Sequence, residues 1–448
     1  MRSPDRVGLW RVLVAKEMRE LMASRSYWLL LLVVGALVGH AFMTATAAYA
    51  EASGAGGGAS ALSQGLNPLT GIVVPTLGAY DLAATLLFPF VVIRLVAAER
   101  ETGALILMLQ APVRFRELMA AKGVALAIGW LVAGVPGLIA LVWWSGMRGH
   151  VHAPELGAVV LGHLLRGVMT IGVASAAAAL SASAASAAIV ALTVTLGAWA
   201  LDYAAAARGG ALETIAQYTP EAALRQFEQG ELRASTVLVM LLLGIGGLAI
   251  AAQWLRVGRQ RVERRWGVLV VVVIVAIASF ASSRVHISYD LSEDRRNSFS
   301  RVDDAALGAI KSPLHITVYL AGEDPRLADL QRGVFAKLRR RLPEVEITYA
   351  AKGRSGLFER AGDHYGEVWY QLGERRAMSR SATEEIVLET VYQIAGVAAP
   401  TTRDDAAYPG YPLVATPQYV SVVFLVLWPL ALAGCWWATR RRLIGAVV

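Results

Sequence analysis

Uninterrupted apolar runs of about twenty residues recur along this chain, and no other feature constrains its fold as strongly. Hydrocarbon offers the backbone no hydrogen-bond partner, so a run of that length reads as a helix whose amides satisfy one another across a bilayer. The runs fall at roughly 26–48, 78–98, 121–145, 157–181, 185–205, 235–256, 266–283 and 417–438. With 56% hydrophobic residues, 17% charged residues and a mean hydropathy of +0.50, they are too many for a soluble core. The expected fold is an α-helical polytopic membrane protein of about eight spans, joined by an extracytoplasmic α/β domain over residues 285–415.

Charge sets the orientation. The formal charge of +8 at pH 7 could suggest a polyanion, but in a membrane protein basic residues fix topology, and nucleic acid is not expected as a partner. Residues 1–25 carry Arg2, Arg6, Arg11, Lys16, Arg19 and Arg25, whereas "EASGAGGGASALSQGLNP" after the first run carries no basic residue. The amino terminus is therefore expected inside, together with "RVGRQRVERR" and the terminal "TRRRL". Residues 284–416 then lie outside, since long translocated domains escape the charge rule. Small residues in "TATAAYAEA" imitate a leader cleavage site, but 25 residues including Asp5, Glu17 and Glu20 precede the run, so an uncleaved anchor is expected. The single cysteine, Cys435, excludes an internal disulfide and a cysteine-based metal cluster.

Two polar segments stand out. In residues 1–25, Trp10, Leu13, Val14, Met18, Leu21 and Met22 recur at helical spacing while Arg11, Lys16, Arg19 and Glu20 face elsewhere, the pattern of an amphipathic helix lying along the interface. Between the second and third runs, "ERETGALILMLQAPVRFRELMAAK" (Glu99 to Lys122) reads as a helix leaving the membrane, an apolar face of Leu105, Leu107, Met108 and Leu109, a stop at Pro112, and a second short helix from Phe115 to Lys122. Such a segment docks either on a partner or on its own chain.

The same residues carry a resemblance. Glu99, Arg100, Glu101, Gly103, Leu105, Pro112, Val113, Glu117 and Lys122 resemble the signature of ABC-2 type transporter permeases, with Ala104 and Ile106 departing from it; Arg114 lies within the matched stretch. "YTPEAALRQFEQG", through Tyr218, Pro220, Phe227 and Gly230, is similar to the re-entrant segment of that family. The resemblance implies a six-span permease over 26–256 with an amino-terminal elbow helix over 1–25, and a coupling segment at 99–122 that contacts a separate ABC ATPase subunit. It also implies a dimer of permease units. ATP and Mg would belong to the partner, because no Gly-x-x-x-x-Gly-Lys-Ser/Thr phosphate loop occurs in this chain. No hydrolase elbow and no His-Glu-x-x-His motif occurs either, so no catalytic residue and no metal are expected, and His150 and His152 read as a solvated turn.

After Arg284 the pattern changes. "LHITVYL", "VEITYA" and "EVWYQL" alternate with a period of two; a helix with Leu327, Leu330, Val334 and Leu338 lies between the first two. "SATEEIVLETVYQIAG" suggests a Ser381 to Glu384 capping box and a stop at Gly396. "YDLSEDRRNSFS" resembles the start of the outer domain in gliding-motility-type ABC transporter auxiliary subunits, through Asp290, Leu291, Glu293, Asp294, Arg296, Ser298 and Ser300, with Ser292 and Arg295 as close substitutes. This unit is bracketed by a seventh span at 266–283 and an eighth at 417–438. "DLSEDRR" is either a binding loop or a set of charges capping the membrane junction.

Within the runs, Arg166 is the deepest charge, and facing lipid would cost at least about 2.5 kcal/mol. Asp81 and Asp202 are the available carboxylates and His163 lies one turn away; the group reads either as an ion pair locking helices or as a substrate contact. The expected function is the membrane subunit of an ATP-driven exporter or signal transmitter in the bacterial plasma membrane, in contact with lipid and with both termini cytoplasmic. The alternative is a non-transporting scaffold whose outer domain recruits envelope proteins.

Overall fold

The computed structural model describes residues 6–54, 67–101, 115–208, 216, 219–256, 258–285, 287–321, 324–342, 344–350, 364–400, 411 and 419–445. Among them, eight helices are long and apolar enough to cross a membrane, and a small mixed α/β sheet unit follows the seventh.

The chain opens with α1 (Arg6–Ala23), breaks at Ser24, and continues as α2 (Arg25–Gly54), the first span. The Trp28 indole donates to the Met22 carbonyl at 2.7 Å and fixes the bend. The second span was expected from residue 78, because Pro68, Gly71 and Pro75 interrupt the hydropathy. The chain instead enters the helix nine residues earlier, at Leu69, through a π-helical turn (Leu69–Val73) leading into α3 (Val74–Glu101). The Asn67 side chain accepts from the Thr70 amide at 2.9 Å, and this secures the start.

The expected separate helix from Phe115 to Lys122 is not separate. α4 (Phe115–Ala133) runs through Gly123 without a break, since no residue there forbids the helix. The interruption comes at Gly134 and Pro136, where α5 (Val135–Gly146) completes the same span. α6 (Ala153–Leu180), α7 (Ala184–Arg208), the short α8 (Pro220–Glu228), α9 (Ala234–Trp254) and α10 (Arg261–Ser283) follow. The last span enters through α15 (Val420–Val422) and a second π turn, then runs as α16 (Trp428–Gly445).

The bundle core lies around α2, α3, α4 and α6, with Tyr27, Val34, Phe88, Leu126 and Ala179 fully enclosed. α6 and α9 cross so closely that a Cβ at Gly172 would stand 2.1 Å from the Gly244 carbonyl oxygen, so glycine is required there. Trp428 of α16 donates its indole N–H to the Leu31 carbonyl at 3.0 Å, seating the last span against the first. By contrast α10 buries none of its apolar window and α7 and α16 only 11% each, so their sides are left to lipid or to other chains.

A four-stranded sheet forms the second unit, in the order β4 (Val345–Tyr349), β3 (Leu314–Val318), β5 (Val368–Leu372), β6 (Arg375–Ser379). β3 and β4 are parallel, as their helical crossover requires, and the β3–β5 and β5–β6 pairs are antiparallel. Leu314, Ile316 and Val318 share one face of β3 and pack beneath two helical segments. These are α12 (Pro325–Asp329), continuing through a π turn into α13 (Ala336–Arg341), and α14 (Glu384–Ala395). Leu327, Leu330, Val334 and Leu338 all enter that core. β6 was not foreseen, because "RRAMS" lacks apolar alternation; its ladder to β5 through Trp369↔Met378 and Gln371↔Arg376 supplies what the side chains do not.

The proposed capping box is also corrected. Thr383 holds the N-cap position of α14 without a side-chain cap, Ser381 Oγ accepts from the Thr383 amide, and Glu384 turns to Lys337 at 2.7 Å. A true cap occurs at α11 (Arg301–Leu307), where Ser300 accepts from the Asp303 amide, and the buried Asp303 accepts from the Tyr392 hydroxyl at 2.8 Å. β1 (Glu231–Arg233), from the α8–α9 connection, pairs antiparallel with β2 (Ser288–Asp290), just after α10, and joins the bundle to the sheet unit.

Candidate functional site

Chain direction alternates through the bundle, so one end carries the α3–α4 connection and the other carries α8 and the sheet unit. At the sheet-bearing end, α8 starts at Pro220 with Thr219 capping the Ala222 amide. Its Leu224 and Phe227 are buried, and Phe227 covers Gly162 of α6. This seating aims Glu221 into the bundle, where its carboxylate meets the Arg166 Nη2 at 2.6 Å. Arg166 is 2% exposed and its Nε stands 3.7 Å from Asp81 of α3. His163 is 4% exposed, with Nδ1 3.9 Å from the same Asp81 oxygen and its ring edge-on to Tyr80. Thr85 donates to Asp81 at 3.2 Å.

One arginine thus ties three helices together. Removing two carboxylates and a guanidinium from water costs several kcal/mol per ion, and such a cluster is retained for register or switching rather than for stability. Several of its buried polar atoms have no hydrogen-bond partner: Arg166 Nε, Glu221 Oε2 and both ring nitrogens of His163. Beside them a small cavity of about 30 Å³ is lined by Thr85, Arg166, Thr170, Thr195 and Glu221 among apolar groups, room for roughly one water. Glu228, at the far end of α8, is half-buried; burial pushes its carboxyl above the ordinary range, the charge of His163 opposes this, and the negative charge of Asp81 adds to it.

Of the intramembrane candidates, the structure therefore brings Arg166, Asp81 and His163 together but not Asp202. Asp202 is instead bidentate to Arg225 of α8, with both contacts at 2.6 Å. Glu221, missed in the sequence, completes the group. The only sequence signal was the pair of apolar residues Leu224 and Phe227 on an otherwise polar short helix, which asks for burial of one face without naming the partner of Glu221.

At the opposite end, Glu99, Arg100 and Glu101 are the last residues of α3, while Gly103, Leu105, Pro112 and Arg114 lie outside the described residues, as does the apolar face proposed around them. Glu117 sits in the first turn of α4. Lys122 is 2% exposed and reaches Glu17 of α1 at 2.7 Å and the Leu95 carbonyl of α3 at 3.4 Å. Glu17 is fully buried, and Lys16 reaches its other oxygen at 3.0 Å. α1 is thus pinned to α4 rather than merely resting on an interface.

The "DLSEDRR" motif forms the junction between bundle and sheet unit. Asp290 accepts from the amides of Ser292 and Asn297 and from the hydroxyls of Ser292 and Ser298. Burial alone would raise its carboxyl, but these hydrogen bonds hold it below the usual carboxylate range. The Leu291 amide donates to the Gly230 carbonyl, and Gly230, at φ 76°, could not carry a Cβ without strain or crowding from Ser292. Glu293 meets His150 at 2.8 Å and accepts from Tyr411, whose ring stacks on His150 at 3.4 Å. His150 therefore lies in an interface, not in a solvated turn. Asp294 pairs with Arg296 at 2.8 Å, Arg295 is exposed at φ 53°, and Arg296 reaches the buried Glu155 at the start of α6 at 2.9 Å. Glu231 of β1 is also met by Arg340 of α13.

Arg296→Met would leave Glu155 without its cation, a loss of about 3 kcal/mol at this contact. The expected result is faster proteolysis in 284–287 while the spans stay intact, read on gels after limited digestion; an unchanged rate would show that Arg296 does not hold the junction.

Among the described residues, no group of His, Cys, Asp and Glu could hold a metal ion. No family model and no curated protein matches this chain.

Proposed function

We propose that this multi-span membrane protein is the permease subunit of an ATP-driven transporter of the ABC-2 type, fused to a gliding-motility-type auxiliary domain. The observation that carries this reading is the buried Glu17–Lys122 pair with the Leu95 carbonyl beside it. A load applied where α3 ends and α4 begins would reach α1 as well through this pair, which is what a motor docked from outside the chain needs. The motor would be a separate ABC ATPase subunit holding ATP and Mg, with two permease units per assembly, in the bacterial plasma membrane with both termini cytoplasmic. At the other end, the Arg296–Glu155 contact and the β1–β2 ladder support an outward signal as well as export, because movement of α6 or α8 reaches the sheet unit through them.

We expect an ABC ATPase to be encoded beside this gene and to copurify with the full chain, and association is expected to fall at least tenfold in a Glu101→Lys, Glu117→Lys variant, a loss of about 1.4 kcal/mol or more. Absence of copurification would favour the scaffold alternative, and undiminished association in the variant would remove the coupling role of the two glutamates.

A further inference from the structure

The junction between the bundle and the sheet unit holds an open cleft of about 170 Å³, between the β1–β2 ladder and the end of α13. That is room for a small ligand rather than for a single water. One wall is cationic: Lys337, Arg340 and Arg341 stand at i, i+3 and i+4 on one helical face, and all three line the cleft. The other wall carries Glu231, Asp290 and Asp304, with the Tyr289 and Phe299 rings beside them.

Counting Arg233 and Glu384, which pair into these walls, four cations face four carboxylates, so the charges balance and hydrogen-bonding capacity decides what fits. The acceptors are spent. Asp290 takes five hydrogen bonds, all from Ser292, Asn297 and Ser298 of its own loop. Glu231 is gripped by Arg233 at 2.6 and 3.0 Å and again by Arg340, and Asp304 is held by Arg341 at 3.1 Å. The donors are not spent. Arg340 carries five N–H groups and gives Nη1 to Glu231, while its buried Nε has no partner among the described residues. Arg341 directs its Nε to Asp304, and Lys337, only 8% exposed, gives one N–H to Glu384 at 2.7 Å. A cleft with surplus cationic donors and no spare acceptor fits a ligand made of acceptors. Three cations on one face match the three oxygens of a phosphate group better than the two of a carboxylate.

We propose that this cleft is a phosphate-binding site, in which Arg340, Arg341 and Lys337 hold the phosphate group of an acidic lipid head or of a small phosphate compound in solution. Its position brings lipid heads within reach. α10 ends its span at Ser283 and β2 begins at Ser288, a separation of at most about 17 Å along the chain. Ile287 and Tyr289 are exposed there, and the Arg284 guanidinium lies 4.9 Å from the Phe280 ring, a set of side chains suited to the membrane–water interface. The cations belong to the sheet unit, whereas Glu231 belongs to β1 of the bundle side. A phosphate held among them adds a further tie across the joint made by the β1–β2 ladder, so occupancy stiffens the connection between the sheet unit and α8.

The test uses the full chain in lipid nanodiscs with no ATPase present, so its failure leaves the transport reading standing. Phenylglyoxal modifies arginines, and mass spectrometry follows Arg340 and Arg341 against Arg339, which is exposed on the same helix and does not line the cleft. In phosphatidylcholine discs, inorganic phosphate is compared with chloride at equal ionic strength; in a second arm, phosphatidic acid is built into the discs and free phosphate is left out. In at least one arm the rates at Arg340 and Arg341, relative to Arg339, are expected to fall about fivefold, as for a site kept mostly occupied. Protection by phosphatidic acid alone assigns the site to a lipid head, and protection by inorganic phosphate alone assigns it to a soluble ligand. In Arg340→Gln, where Glu231 keeps Arg233, the unprotected rate at Arg341 should stay at the wild-type value while its protection disappears. Relative rates unchanged in both arms, or protection of Arg341 that survives Arg340→Gln, would overturn the proposal.

Discussion

Arg166→Leu is expected to destabilise the bundle more than any other single side-chain replacement at the sheet-bearing end. Leucine suits a membrane helix, so propensity and hydropathy both improve, yet the loss falls on the partners. Asp81 and Glu221 would share a dry site with no arginine between them, and removing one member of a buried ion pair costs about 3–5 kcal/mol. Adding Glu221→Gln should recover part of that loss, because the surviving repulsion ends when one carboxylate is neutral. Arg166→Lys should recover less than the charge alone suggests. A point ammonium cannot place one donor 2.6 Å from Glu221 and another near Asp81 on a different helix, as the guanidinium fork does. Thermal unfolding in nanodiscs measures all three. A deficit within about 1 kcal/mol of wild type would mean that the arginine is not the neutralising charge of the site.

These two carboxylates also show how far the sequence could be read. Spans announce themselves because hydropathy is a property of a run, and neighbours in the run are neighbours in the helix. Arg166 was conspicuous for the same reason, as one charge in an apolar stretch. Its partner Glu221 was not, since it lies 55 residues away on a helix of nine residues whose polar sequence reads as an exposed connection. Only the docking of Leu224 and Phe227 carries that glutamate into the bundle, and docking is a tertiary event. Asp202 illustrates the converse. It was available to Arg166 by depth, but Arg225 reaches it with two bonds, and a bidentate partner wins over a distant one. The sheet unit was legible where side chains alternate, as in β3, and illegible at β6, where the backbone ladder rather than side-chain pattern makes the strand. His150 was misread because a histidine on a loop beside charged residues looks the same in sequence whether water or another domain covers it.

At the other end of the bundle, Glu17→Gln should release α1 from α4 and lower stability by about 3–5 kcal/mol, because the buried Lys122 loses the carboxylate 2.7 Å from its ammonium. Lys122→Met should cost less. Glu17 keeps Lys16 at 3.0 Å, and methionine fills the volume of the lost side chain with apolar atoms. The double variant Glu17→Gln, Lys122→Met should be closer to wild type than Glu17→Gln alone, with a coupling energy of about 1–3 kcal/mol in the cycle. Thermal unfolding gives the stability terms, and labelling of Leu21→Cys, fully buried against α4 near Gly129, reports whether α1 has detached. The two readouts separate a helix that is merely stabilised by the pair from one that transmits force through it. If the double variant folds, keeps Leu21→Cys protected and still binds the proposed ATPase partner but no longer couples ATP hydrolysis to movement of α8, the buried charges act in transmission. Full coupling in that variant would place transmission in the apolar packing of Leu21 and leave the ion pair a purely structural role.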